Sequence, residues 1–191
     1  MKAGAARHEV RIIGGQWRRS LLPVADKPGL RPTPDRVRET LFNWLGQDLS
    51  GWRVLDAFAG SGALGFEAAS RGAAEVLLVE QDAELVRSLS ASRERLKATT
   101  LRIQRGDGLS TLRTAAPRSY ELILLDPPFD TRLAGAALAA SVRALAAGGW
   151  VYLESGEAAP PALEGLQLYR LGRAGAVHYA HFQADEPAAA T

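Results

Sequence analysis

The sequence predicts an α/β fold: a mostly parallel seven-stranded sheet with helices on both faces, preceded by an N-terminal hairpin and helix. Three observations carry this. From Arg53 onward, short apolar runs alternate with stretches of helical period, at the spacing of repeated βα units. A glycine-rich turn, Gly60-Ser61-Gly62-Ala63-Leu64-Gly65, stands between the first run and the first of these helices. The last two apolar runs follow one another with no helix between them, as a closing antiparallel pair would.

The elements follow in order. Residues 1–8 read as a loose arm. Glu9–Ile13 and Gln16–Pro23 flank Gly14-Gly15, which predicts a hairpin turning on the glycine pair. Pro23–Pro34 holds four prolines and reads as a loop. Pro34 and Asp35 open a helix that places Val37, Leu41, Phe42 and Leu45 on one face and ends near Gly46. Arg53–Ala57 is a strand, and Ala63–Ser70 a helix closed by Gly72. Glu75–Glu80 is a strand and Asp82–Ala98 an amphipathic helix; Leu101–Arg105 is a strand and Leu109–Arg113 a short helix. Tyr120–Leu125, the helix Arg132–Ala146 and the strand Trp150–Glu154 complete the alternation. Gln167–Leu171 and Ala176–Gln183 form the closing pair. The expected division is an extension over residues 1–50, an α/β domain over 51–183 and a flexible tail over 184–191.

With 191 residues and 47% hydrophobic side chains, the chain can bury one real core. It has no apolar run near the roughly 20 residues of a membrane span and no apolar core at its N-terminus, so a cytoplasmic protein is expected. The absence of cysteine excludes disulfides, thiolate metal sites and covalent attack by a thiolate on a pyrimidine ring. Three scattered histidines, His8, His178 and His181, predict no metal site; the last two read as strand residues. The net charge of +2 is uneven. Residues 1–40 carry nine Lys/Arg against four acids, and only three of the chain's 23 basic residues are lysine. An arginine-rich N-terminal segment suits a phosphate-bearing partner, since guanidinium grips phosphate with paired hydrogen bonds.

The strand at Arg53 runs into Asp56-Ala57-Phe58-Ala59-Gly60-Ser61-Gly62, and Glu80 ends the next strand 20 positions after Gly60. Glycines at 60, 62 and 65 also fit a dinucleotide fingerprint, with Glu80 as the ribose acceptor. Asp56 argues otherwise. A carboxylate at the strand end repels a pyrophosphate and suits a cationic ligand such as S-adenosylmethionine, which has an ammonium, a sulfonium and no phosphate. Asp56, Phe58, Gly60, Gly62 and Glu80 are thus candidate cofactor residues. Asp107 and Gly108 follow the third strand of the α/β region, where Asp107 can accept from an adenine amine, cap the next helix, or both.

The strand Tyr120–Leu125 delivers Asp126-Pro127-Pro128-Phe129 to the carboxyl edge of the sheet, where open α/β folds bind ligands. An amine conjugated to a ring is a poor nucleophile because its lone pair is delocalised. The Asp126 carboxylate and the Pro127 carbonyl can accept its two N–H bonds and leave the lone pair facing an electrophilic methyl. Two prolines stiffen the loop, and Phe129 offers a face for a base to stack on. Asp126, Pro127 and Phe129 are the candidate catalytic residues, and amino-methyl transfer the candidate reaction.

These motifs, with Arg11-Ile12-Ile13-Gly14-Gly15-Gln16-Trp17-Arg18 and the run Pro28-Gly29-Leu30-Arg31-Pro32-Thr33-Pro34-Asp35-Arg36-Val37-Arg38-Glu39-Thr40-Leu41-Phe42-Asn43-Trp44-Leu45, resemble the RsmD family of bacterial methyltransferases over nearly the whole chain. Pro34 departs from the family pattern, where threonine is expected. The resemblance implies a Rossmann-like class I methyltransferase fold. It also implies transfer from S-adenosylmethionine to the N2 amine of a guanine in 16S ribosomal RNA, with a small ribosomal subunit or assembly intermediate as substrate. Ribosomal proteins would contribute contacts, the enzyme would act as a monomer without metal, and the target base would flip out of its stack. Arg11, Arg18, Arg31, Arg36 and Arg38 become candidate RNA contacts; Arg36 and Arg38, two apart, cannot share a helix face. The alternatives are an amine of adenine or cytosine in DNA or another RNA, an RNA-binding assembly factor without turnover, and NAD chemistry.

Overall fold

The computed structural model describes residues 8–128, 131–157 and 163–185. A two-stranded antiparallel ribbon, β1 (Glu9–Arg11) and β2 (Leu21–Pro23), and a helix, α1 (Asp35–Trp44), precede the main sheet. The main sheet takes β3 (Arg53–Asp56), β4 (Glu75–Glu80), β5 (Leu101–Arg105), β6 (Tyr120–Leu125), β7 (Leu145–Ser155), β8 (Leu166–Ala174) and β9 (Val177–Ala184). Their order is β5-β4-β3-β6-β7-β9-β8, parallel except for β9, which runs antiparallel to both neighbours. The helices α2 (Ala63–Ser70), α3 (Ala83–Arg95), α4 (Gly108–Thr114) and α5 (Thr131–Ala144) alternate with the parallel strands. No helix among the described residues is long and apolar enough to cross a membrane.

Period-two alternation splits the core between the two faces of the sheet. Along β6, Leu122 and Leu124 join one cluster with α1, α2 and the N-terminal residues Val10, Ile12 and Leu22. Ile123 and Leu125 join the other, with Leu138 of α5 and Leu112 of α4. The N-terminal extension therefore shares a core with the sheet.

The strand order reverses between β3 and β6. The loops that leave their carboxyl ends diverge there and open a crevice, the usual ligand position in doubly wound sheets. Asp56, Glu80, Asp126 and Glu154 all stand at the carboxyl ends of neighbouring strands.

The sequence misplaced two local features. Gly14-Gly15 is not the turn of a two-residue hairpin: β1 and β2 pair from Glu9↔Pro23 to Arg11↔Leu21, and a nine-residue segment joins them. The glycines instead let this segment approach the end of α2. Gln16 N–H donates to the Ser70 carbonyl at 2.8 Å, and a Cβ on Gly15 would lie 1.8 Å from that oxygen. The second feature is the start of β7. Ala144-Leu145-Ala146 carries helical propensity, yet Leu145 already pairs with Tyr120. The register then shifts, and the ladder resumes at Trp150↔Leu122.

Candidate active site

The first strand of the sheet ends on Asp56, which is buried. Its Oδ2 accepts the Gly65 N–H at 3.0 Å and so fastens the first turn of α2 to the strand end. Its Oδ1 is buried with no hydrogen-bond partner among the described residues. Desolvation raises its pKa to about 7, against the lowering effect of the Gly65 and Phe58 N–H groups. Glu80, ending β4, accepts the Gly60 N–H at 2.9 Å on one oxygen and the Asp82 N–H at 2.9 Å on the other.

The amides of Gly60 and Gly65 are thus directed at the protein's own carboxylates. A dinucleotide site needs such amides free for a pyrophosphate; here carboxyl oxygens occupy them instead. Two glycines of this loop are sterically required. Gly62 begins α2 at φ +81°, and a Cβ there would lie 2.6 Å from Leu89 Cδ2. A Cβ on Gly65 would lie 2.1 Å from Leu78 Cδ2 and 3.0 Å from Asp56 Oδ2. Phe58 is half-buried beside Gly108, with its ring 3.1 Å from where a Cβ on Gly108 would sit. Asp107 caps α4, accepting the Ser110 N–H at 2.7 Å, and the Ser110 hydrogen bonds hold its pKa below the usual carboxylate value. Its side chain is exposed, so a second acceptor role is open to it.

Asp126 follows β6 directly and remains partly exposed, while Pro127 is buried. Desolvation, with the charges of Glu154 and Asp56, raises the Asp126 pKa well above the usual carboxylate value. Phe129 lies outside the described residues, so its stacking role stays an expectation.

The proline-rich loop expected between Pro23 and Pro34 crosses this edge of the sheet. Lys27 bridges Asp82 at 2.6 Å and Glu84 at 2.9 Å. Leu30 Cδ1 lies 3.1 Å from where a Cβ on Gly60 would sit. Thr33 Oγ1 donates to Glu154 Oε1 at 2.5 Å, and the Tyr152 hydroxyl donates to the same oxygen at 2.9 Å. Sequence reasoning passed over Glu154, Thr33 and Tyr152. A carboxylate ending the strand beside Asp126, as Asp56 and Glu80 end theirs, was the available signal.

The five candidate RNA-contacting arginines separate. Arg31 is exposed, in the loop between Leu30, which lies near Gly60, and Thr33, which reaches Glu154. Arg36 is exposed on α1. Arg11 is 59% exposed and pairs with Asp35 at 2.9 Å. Arg18 is exposed and lines an open groove with Arg71, Glu39 and Asn43, at the far end of α2. That end is roughly 12 Å from the glycine loop at 1.5 Å per helical residue. Arg38 leaves the group. It is 0% exposed, pairing with Asp35 at 2.6 Å and Glu67 at 3.3 Å and donating to the Thr33 carbonyl at 3.1 Å. Glu67 is also buried, and it accepts the N–H groups of Ile13 and Gly14, both at 2.8 Å, and Arg71 Nε at 2.9 Å. Arg38 therefore holds the extension to α2 and has no face toward RNA.

His178 and His181 lie in β9, as expected. His181 is buried among aromatic rings, stacked 4.6 Å from Trp150 and 5.9 Å from Trp44, and burial lowers its pKa to about 4. Among the described residues, no group of three or more His, Asp or Glu side chains stands together to hold a metal.

Comparison with known proteins gives consistent relatives. The family model described as conserved hypothetical protein 95 matches residues 10–183. The chain is 40% identical over 185 residues to "Ribosomal RNA small subunit methyltransferase D" of Escherichia coli strain K12, covering 93% of this chain and 91% of that protein. It is 43% identical over 136 residues to the protein of the same name in Haemophilus influenzae, covering 70% of each. Among solved structures, "Putative methyltransferase yhhF from Escherichia coli" superposes with a TM-score of 0.84 at 37% identity, covering 94% of this chain and all of that one. The family model and these relatives agree: the chain belongs to the conserved hypothetical protein 95 family, the RsmD methyltransferase family that its N-terminal arginine segment resembles.

Proposed function

We propose that this protein transfers a methyl group from S-adenosylmethionine to the exocyclic N2 amine of a guanine in 16S ribosomal RNA, within the small ribosomal subunit or an assembly intermediate. The observation that carries the chemistry is the line of carboxylates along the sheet's carboxyl edge. Asp56 and Glu80 take the glycine-loop amides that a phosphate ligand would need. A cationic methyl donor fits that donor set, including the unpartnered Oδ1 of Asp56. Asp56, Phe58, Gly60 and Gly62 would hold its amino-acid end, Glu80 its ribose hydroxyls, and Asp107 and Gly108 its adenine. When bound, S-adenosylmethionine supplies an electrophilic methyl carried on a sulfonium.

The protein's own contribution is orientation and charge. The Asp126 carboxylate and the Pro127 carbonyl accept the two N–H bonds of the target amine, which leaves its lone pair free along the line of attack. The raised pKa of Asp126 means that its charge is costly until such donors arrive; once they do, it stabilises positive charge developing on nitrogen. Arg11, Arg18, Arg31 and Arg36 would meet RNA phosphates, Arg31 from the loop that also carries Thr33. The extension over residues 1–50 acts in this reading as the RNA-holding part of the molecule, and the domain over 51–183 as the chemical part.

The test is transfer of labelled methyl to small subunits lacking the modification, followed by nucleoside mass spectrometry. N2-methylguanine is the expected product. Methyladenine or methylcytosine would overturn the guanine assignment, and no transfer with no S-adenosylmethionine binding would overturn the enzymatic reading.

A further inference from the structure

A second carboxylate stands beside the one assigned to the target amine. β6 and β7 run parallel in register, with Leu125 opposite Leu153, so Asp126 and Glu154 are the next pair along. Adjacent strands lie about 4.8 Å apart, and paired positions project to the same face. Glu154 is only 5% exposed. Its known partners are the Thr33 and Tyr152 hydroxyls, both donating to Oε1. Thr33 comes from the loop that crosses the site, and Tyr152 is fully buried two residues earlier on the same face of β7. A buried carboxylate without a countercharge is unfavourable unless donors satisfy it. Burial pushes the Glu154 carboxyl up, and these two hydroxyls pull against that.

The Watson–Crick edge of guanine offers donors side by side, the N1–H and the N2 amine. Adenine and cytosine place an acceptor nitrogen where guanine has N1–H. A second carboxylate beside the amine-binding one therefore complements guanine and opposes the other two amino bases.

We propose that Glu154, held by Thr33 and Tyr152, is a specificity-determining residue that accepts the guanine N1–H while Asp126 accepts from the N2 amine. This rests on the guanine reading above. The hydroxyl of Thr33 ties recognition of the base to the N-terminal extension, since the same loop carries Arg31.

The experiment uses the full chain and small-subunit particles reconstituted with either guanine or 2,6-diaminopurine at the modified position. The analogue keeps the 2-amine but presents an acceptor at N1. The wild-type protein should methylate the guanine particles about 10–100-fold faster, the range set by one directional base contact. Glu154→Gln offers an amide N–H in place of a carboxylate oxygen, and it should shrink or reverse that ratio by at least about tenfold, with S-adenosylmethionine affinity kept. The ratio within one preparation does not depend on how much of the variant is folded. Equal rates on the two particles with wild-type protein would overturn the proposal without any variant. An unchanged ratio in Glu154→Gln, with both rates lowered together, would overturn it by assigning Glu154 a merely structural part. A product other than N2-methylguanine on natural particles would instead refute the guanine reading on which the proposal rests.

Discussion

Arg36 and Arg38 are two residues apart on α1, the first exposed and the second buried, and a matched pair of substitutions can separate their parts. Arg38→Met removes the guanidinium and keeps most of the side-chain volume. It strips Glu67 of one buried cation and leaves Asp35 without its 2.6 Å partner. Removing one member of a buried ion pair costs about 3–5 kcal/mol. Glu67 keeps Arg71 at 2.9 Å and the two backbone N–H groups of Ile13 and Gly14, so the lower end applies, about 3 kcal/mol. For a domain of this size each kcal/mol moves Tm by about 2–4 °C, which gives a fall of about 6–12 °C. Arg36→Met removes an exposed charge and should leave Tm within about 2 °C. In RNA binding the order reverses. Arg36→Met should lower the dependence of log affinity on log salt by about 1, while Arg38→Met should keep the wild-type slope below its melting temperature. Thermal melts by circular dichroism and filter binding at several salt concentrations measure both. An Arg38→Met protein with wild-type Tm and a reduced salt slope would refute the assignment of Arg38 to the interior.

Asp126→Asn keeps the shape and loses the charge; single-turnover methylation should fall about 10²–10³-fold with S-adenosylmethionine binding by calorimetry kept, and full activity would remove Asp126 from the chemistry. Because the Asp126 pKa is raised, the wild-type rate should climb with pH through a midpoint above the usual carboxylate range; a rate already flat from pH 5 upward would contradict this. Gly65→Ala drives a methyl into Leu78 and the Asp56 carboxylate, so it should cost about 1–3 kcal/mol and weaken cofactor binding together, read by urea melts and calorimetry. His181 takes up a proton near pH 6.5 when unfolded and only near 4 when folded, so its contribution is complete above about 6.5 and is lost as pH falls toward 4. The full span is about 3 kcal/mol; His181→Phe should lose less stability than wild type between pH 7 and 4.5, and identical losses would count against a neutral buried imidazole.

The fold was legible because each βα unit announces itself locally. β4, β5 and β6 match the sequence reading residue for residue, since an apolar run between a helix stop and a glycine or acidic turn has few alternatives. The glycine pair at 14 and 15 was misread for the opposite reason. Gly-Gly between two extended runs satisfies hairpin chemistry, and its actual cause, the carbonyl of Ser70, lies 55 residues away. Arg38 failed in the same way: its charge is visible in the sequence, but the buried Glu67 that claims it lies 29 residues on, in a helix otherwise made of apolar and small residues.

The site shows where such failures collect. Asp56, Glu80 and Asp126 are legible as candidates because each ends or follows an apolar strand and belongs to a local pattern. Glu154 ends a strand in the same way but has no glycines or prolines after it to mark a ligand loop. Its function depends on Thr33, 121 residues earlier, whose hydroxyl reaches it across the top of the sheet. Neither residue has a meaning until the extension is folded onto the α/β layer. That dependence follows from the fold, because strand order sets the carboxylates side by side, and only a segment outside the sheet can cover their open edge. The N-terminal extension supplies that cover through Lys27, Leu30 and Thr33, so a change there should alter base selection as well as RNA affinity. Thr33→Val tests this step, since it removes one donor from Glu154 and leaves every arginine in place. It should narrow the ratio of rates on guanine and 2,6-diaminopurine particles with the salt dependence of RNA binding unchanged. A reduced salt slope with an intact ratio would place Thr33 with the RNA-holding residues instead.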